Sequence, residues 1–152
     1  MDIHIKFMKE ALKEAKKAYE KDEVPIGAVV VKDGKIIAKA YNKREKSGDA
    51  TAHAEILAIK KACKKVHDFR LNGCDIYVTL EPCTMCMGAI LNARIDNLFF
   101  GAYANKENTL SCEEINNRAG LNHKTNIVGG VMLKECETLI KTYFKNKRKQ
   151  NN

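Results

Sequence analysis

Asp75-Ile76-Tyr77-Val78-Thr79-Leu80-Glu81-Pro82-Cys83-Thr84-Met85-Cys86 reads as a β-strand that runs directly into a helix. Residues 75–80 are mostly apolar, and Gly73 breaks the chain before them. Pro82 suits the first position of a helix, where its missing N–H is not needed and its φ is already helical. That helix is expected to reach about Ala93. Cys83 and Cys86 then share one face of its first turn. A second stretch, Thr51-Ala52-His53-Ala54-Glu55, opens another helix over residues 52–66, with Thr51 as N-cap and His53 in the first turn.

The flanking chain extends this strand-to-helix pattern. Phe7, Met8, Ala11, Leu12, Ala15, Ala18 and Tyr19 recur at helical spacing over residues 3–20. Residues 26–31 and 36–41 are apolar runs around Asp33-Gly34, a hairpin turn signal. Residues 42–50 read as a polar loop and 95–101 as a fourth strand. Residues 105–123 read as a loop with one helical turn near 113–117, and 127–133 as a fifth strand. A last helix from about Lys134 sets Cys136, Leu139, Ile140, Tyr143 and Phe144 on one face and frays into a basic tail from about Lys145. This order predicts an α/β fold, a three-layer α/β/α arrangement around a mixed five-stranded sheet. Its site is expected at the carboxyl ends of the strands.

The 152 residues suit one domain, spanning 1–152, with 45% hydrophobic content. No apolar run approaches the roughly 20 residues that span a bilayer. No signal peptide is evident at Met1-Asp2-Ile3-His4-Ile5-Lys6, so a cytoplasmic location is the default. Without secretion the six cysteines are expected reduced, and Cys63, Cys74, Cys112 and Cys136 read as small core residues. The net charge of +8 fits either a solvated lysine-rich surface or a polyanion partner such as RNA or DNA.

His53, Cys83 and Cys86 offer one imidazole and two thiolates to a Zn²⁺ ion and leave a fourth position for water. Two helix N-termini would favour the thiolate forms. Zinc held this way lowers the pKa of its water. Glu55, beside the metal without binding it, can take that proton and deliver it to a leaving amine. A redox Cys-x-x-Cys would want a thioredoxin-like context, which this chain lacks. A structural zinc would want a fourth protein ligand, and neither Cys63 nor His67 belongs to a paired spacing motif.

His-x-Glu followed by Pro-Cys-x-x-Cys is the signature of the zinc deaminases. The resemblance extends through residues 24–31, 77–90, 94–102, 120–123 and 143–148, and the chain is similar to the bacterial tRNA adenosine deaminases over nearly its whole length. That resemblance implies a cytidine-deaminase-like fold, one zinc per subunit, a homodimer, and conversion of adenosine to inosine at the wobble position of a tRNA anticodon. It also implies that Asn42 hydrogen-bonds the flipped base, that the Ala54 backbone lines the pocket, and that Val24 and Ile26 form an apolar wall. Phe144 and Arg148 would meet the anticodon stem-loop by stacking and charge. Two positions depart from the family. Ala104 stands where an aspartate that could bind a ribose 2′-hydroxyl is usual, followed by 105–110 in place of a Gly-rich stretch, and Ala50 replaces a proline. The alternative reading is a deaminase of a free base or nucleoside such as guanine or cytidine, which needs no basic surface.

Overall fold

The structure, a computed structural model, describes residues 2–104, 110–118, 120 and 123–151. The chain runs α1 (Ile3–Glu20), β1 (Gly27–Lys32), β2 (Lys35–Tyr41), α2 (Arg44–Ser47), α3 (Ala54–Val66) and β3 (Cys74–Leu80). It continues through α4 (Thr84–Asn92), β4 (Asn97–Ala102), α5 (Cys112–Arg118), β5 (Asn126–Val128) and α6 (Leu133–Gln150). The strands form one five-stranded sheet in the order β2-β1-β3-β4-β5. β1 is antiparallel to both neighbours, whereas β3, β4 and β5 are parallel. The expected mixed five-stranded α/β/α fold is therefore the observed one. Among the described residues no helix is long and apolar enough to cross a membrane.

Side chains alternate across each strand, so the two faces carry separate cores. Ala28, Val30, Ile76, Val78, Leu98 and Phe100 meet α3, α4 and α5 on one side. Val29, Val31, Tyr77 and Phe99 meet α1 and α6 on the other. There the buried Tyr77 hydroxyl is satisfied by His4 Nδ1 at 2.7 Å, and His4 stacks on Phe99. Asp33 and Gly34 have φ of 51° and 75°, the paired positive values of a type I′ hairpin turn.

Gly27 sets how closely α1 approaches β1. A Cβ there would lie 2.1 Å from the Ala11 carbonyl oxygen and 2.5 Å from Ala15 N. Both neighbours are helix backbone and cannot rotate away. Gly27→Ala should therefore lose about 1–3 kcal/mol or more through overpacking. At roughly 2–4 °C per kcal/mol for a chain this size, thermal melts should fall by several degrees; an unchanged melt would refute this packing.

Three elements differ from expectation. The strand expected over 127–133 is only Asn126–Val128, because Gly129 leaves the sheet edge. A Cβ on Gly129 would meet the Phe100 ring at 2.4 Å, and Gly130 turns at φ 84°. The loop at 105–123 contains the full helix α5, capped where the Glu114 amide donates to Ser111 Oγ and the Ser111 amide donates to Glu114 Oε1. The polar loop at 42–50 holds the short α2, whose Glu45 and Lys46 amides donate to the buried Glu23 carboxylate. The expectations on residues 105–109, 121 and 122 lie outside the described residues.

Candidate functional site

His53 and Cys83 are the N-cap residues of α3 and α4, not members of their first turns. Thr51 does not cap α3, which begins only at Ala54; its hydroxyl donates to Asp49 Oδ1 at 2.7 Å. The chain then turns once more, with the His53 amide bonding Thr51 O at 2.7 Å. Pro82 is not helical either. The Glu81 amide still pairs with Ala102 O, which extends the β3–β4 ladder, and the first α4 bond runs from Met87 N to Cys83 O. Both N-caps thus project from one end of the sheet, with Cys86 in the first turn of α4.

The three ligand atoms of His53, Cys83 and Cys86 lie within 4.8 Å of one another. His53 Nδ1 stands 3.6 Å from Cys83 Sγ and 3.4 Å from Cys86 Sγ. Contact with Cys86 and with His53 outweighs burial and pulls the Cys83 thiol down to about 3. Cys83 and burial in turn push the Cys86 thiol up. Contact with Cys83 also raises the basicity of His53.

Glu55, in the first turn of α3, is only 3% exposed. Burial pushes its carboxyl up to about 7, opposed by its own backbone amide. Its Oε1 is fully buried and has no hydrogen-bond partner among the described residues. An unpartnered buried acceptor is costly, and here it borders a cavity of about 250 Å³ lined by Ile26, His53, Glu55, Cys83 and others. A carboxyl near neutrality can both take and release a proton at physiological pH.

The other expected residues divide. Asn42 is buried at 3% exposure, and its Oδ1 accepts from the Ala54 amide at 2.9 Å. That bond fixes the side-chain amide and leaves Nδ2 as its donor. It also engages the Ala54 N–H, so this amide does not face the cavity as a free donor. Ile26 lines the cavity, whereas Val24 is half-buried and outside its lining. Phe144 and Arg148 lie on α6, outside the cavity walls. Phe144 is 42% exposed and packs edge-on against Tyr143, so it is not the core residue its helical spacing suggested.

Sequence reasoning placed Ala104 at the substrate but missed Glu81 on the same far wall. Ala104 and Leu110 line the cavity, as does Glu81. Glu81 Oε1 accepts from the Ala104 amide at 3.3 Å and Oε2 from the Cys112 amide at 3.2 Å. The available signal was a carboxylate at the end of a buried strand, a position that demands partners.

Comparison with known proteins agrees with this geometry. The MafB19-like deaminase family matches residues 2–135. A tRNA-specific adenosine deaminase of Bacillus subtilis (strain 168) is 46% identical over 147 residues, covering 95% of this chain and 90% of that protein. This chain belongs to the tRNA-specific adenosine deaminase family. A solved structure from a study of A-to-I editing by tRNA:A34 deaminases at the wobble position of transfer RNA superposes with TM-score 0.83. It is 43% identical and covers 88% of this chain and 98% of that one. A guanine deaminase from Bacillus subtilis is 44% identical with TM-score 0.62, over 64% of this chain and 63% of that one. The family's deaminase character thus matches the residues that the fold brings together.

Proposed function

We propose that this protein hydrolyses adenosine to inosine at the wobble position of a tRNA anticodon, releasing ammonia. Close likeness over the whole chain carries the reading: the Bacillus subtilis tRNA-specific adenosine deaminase is 46% identical over 95% of this chain, whereas the 44% identity to the Bacillus subtilis guanine deaminase extends over 64%. A tRNA substrate would put the enzyme in the cytoplasm. The net charge of +8 and the exposed Phe144 and Arg148 suit an RNA partner.

His53, Cys83 and Cys86 would hold one zinc ion. Their donor atoms, with His53 Nδ1 3.6 and 3.4 Å from the two sulfurs, lie close enough together to share one ion, and one imidazole with two thiols is a donor set that suits zinc. Bound there, zinc would supply acidified water for hydrolysis. Glu55 would take one proton from water and deliver it to the purine ring nitrogen next to the reacting carbon as the water oxygen bonds to that carbon. Glu55 would carry the second water proton to the amino group, so that the carbon–nitrogen bond breaks and ammonia leaves. Asn42 Nδ2 donates to an acceptor on the base, and Ile26 packs on its face. Met85, 37% exposed on α4, suits a homodimer interface beside the site; a single-chain mass by light scattering would count against that assembly.

The second reading, a deaminase of a free base, draws on the guanine deaminase likeness and on Ala104, which offers no carboxylate to a ribose hydroxyl. Ammonia release from an anticodon stem-loop, adenosine, guanine and cytidine separates the two. Turnover of guanine with none of the stem-loop would overturn the tRNA assignment.

A partner outside the cavity follows from the same reading. Stacking on one unpaired base is worth about 1–3 kcal/mol. Phe144→Ala, Arg148→Ala and removal of residues 145–152 should each weaken stem-loop binding by fivefold or more and leave the metal content intact. Affinity insensitive to all three and to salt would count against RNA.

A further inference from the structure

A second cavity, of about 140 Å³, is lined by Lys21, Glu23, Tyr41, Lys43 and Lys46. Three of its five walls are ammonium groups, and none of the ion pairs formed among the described residues engages Lys21, Lys43 or Lys46. Lys147 nearby is different, since Asp22 neutralises it at 2.7 Å. The one acid of the cavity, Glu23, is 2% exposed and spends its oxygens on the Glu45 and Lys46 amides. Three cations against one occupied carboxylate leave a positive recess.

Tyr41 organises it. Lys21 Nζ bonds the Tyr41 hydroxyl at 2.7 Å while standing 5.2 Å from the ring centre, so it sits beyond the hydroxyl and not over the ring. Lys43 Nζ lies 4.9 Å from the same ring centre. The Tyr41 hydroxyl is itself made more acidic, first by Lys21 and then by Lys43 and Lys46. The tyrosine therefore holds two lysines on one recess without consuming their charge.

The recess is tied to the catalytic cavity by the residue between its two walls. Tyr41 and Lys43 flank Asn42, whose Oδ1 holds the Ala54 amide beside Glu55. The Lys43 amide bonds Ala52 O at 3.0 Å, next to His53, and the Asn42 amide bonds Ile26 O at 3.1 Å in the cavity wall. Asn42 thus joins the chain that lines the recess to the segment that carries His53 and Glu55.

We propose that the recess formed by Lys21, Tyr41, Lys43 and Lys46 is a phosphate subsite that grips the RNA backbone next to the deaminated nucleotide. This rests on the proposed RNA substrate. The recess binds a phosphodiester as a point anion and carries no base information, so it adds affinity and register but not sequence choice.

The test compares the wild type with a Lys43→Ala/Lys46→Ala double variant, a Lys43→Arg/Lys46→Arg double variant, and Lys65→Ala on α3 as a control for net charge. Stem-loop RNA affinity is measured across a salt series. Removing one lysine–phosphate pairing lowers the slope of log affinity against log salt by about 0.7–0.9, about threefold in affinity between 50 and 200 mM. The alanine pair should show that drop, the arginine pair should restore it, and Lys65→Ala should not reproduce it. Metal content, which reports the fold, should stay equal in all four proteins. An unchanged slope in the alanine pair, with wild-type binding intact, overturns the subsite alone. Inorganic phosphate that protects the wild type against heat while RNA binding ignores the alanine pair identifies a free-anion site and overturns the backbone assignment. Wild type that binds no stem-loop at all overturns the RNA reading and the subsite together.

Discussion

Glu55→Ala protein is expected to keep its full zinc content and to deaminate about 10²–10⁴ times more slowly, the usual contribution of a positioned acid–base group. The loss should fall at the upper end, because one carboxyl serves proton transfers at both the start and the end of the reaction. Glu55→Gln should be equally slow, since it keeps the shape and an acceptor but cannot carry a proton. The variant should also melt at or above the parent. Glu55 is buried at 3% exposure with Oε1 unpartnered, an arrangement that suits chemistry and penalises folding. Zinc-replete Glu55→Ala protein with near-parental turnover would remove Glu55 from the mechanism.

Cys83→Ala and Cys86→Ala should each drop zinc from about one per chain to a small fraction, and activity with it, since a catalytic zinc has only three protein ligands to lose. A ligand bound only by the folded chain raises its melting temperature. Chelation should therefore lower the melt of the wild type and leave either cysteine variant unmoved. Either variant retaining full zinc would break the assigned ligand set. The two should differ in one respect. Cys86 is fully buried and Cys83 exposed, so Cys86→Ala also opens space in the core and should melt lower than Cys83→Ala.

The fold was legible where a local rule and the global arrangement agree. Asp33-Gly34 marked a hairpin that exists, and the run ending at Leu80 marked a strand that exists. The three candidate metal ligands converge although they come from two helices, because each helix begins where its strand's end of the sheet leaves it. The misreadings have different causes. Helix α2 begins against a glutamate from before β1, Glu23, a partner that no local pattern shows. The strand β5 stops short where Gly129 packs against the Phe100 ring. Helix α5 was legible locally. Its Ser111-x-x-Glu114 capping box was present in the sequence, and the polar composition around it hid the signal. Phe144, which helical spacing sets beside Tyr143, is 42% exposed.

Glu81 ties Ala104 to Cys112 through the two oxygens of one carboxylate. Ala104 and Leu110 stand on the cavity's far wall, and neither belongs to the helices that carry the hydrolytic residues. Exchanging either side chain should therefore change what the cavity accepts while His53, Cys83, Cys86 and Glu55, all carried on α3, α4 and their caps, keep their places. A designer could retune substrate choice at positions 104 and 110 without redesigning the hydrolytic centre.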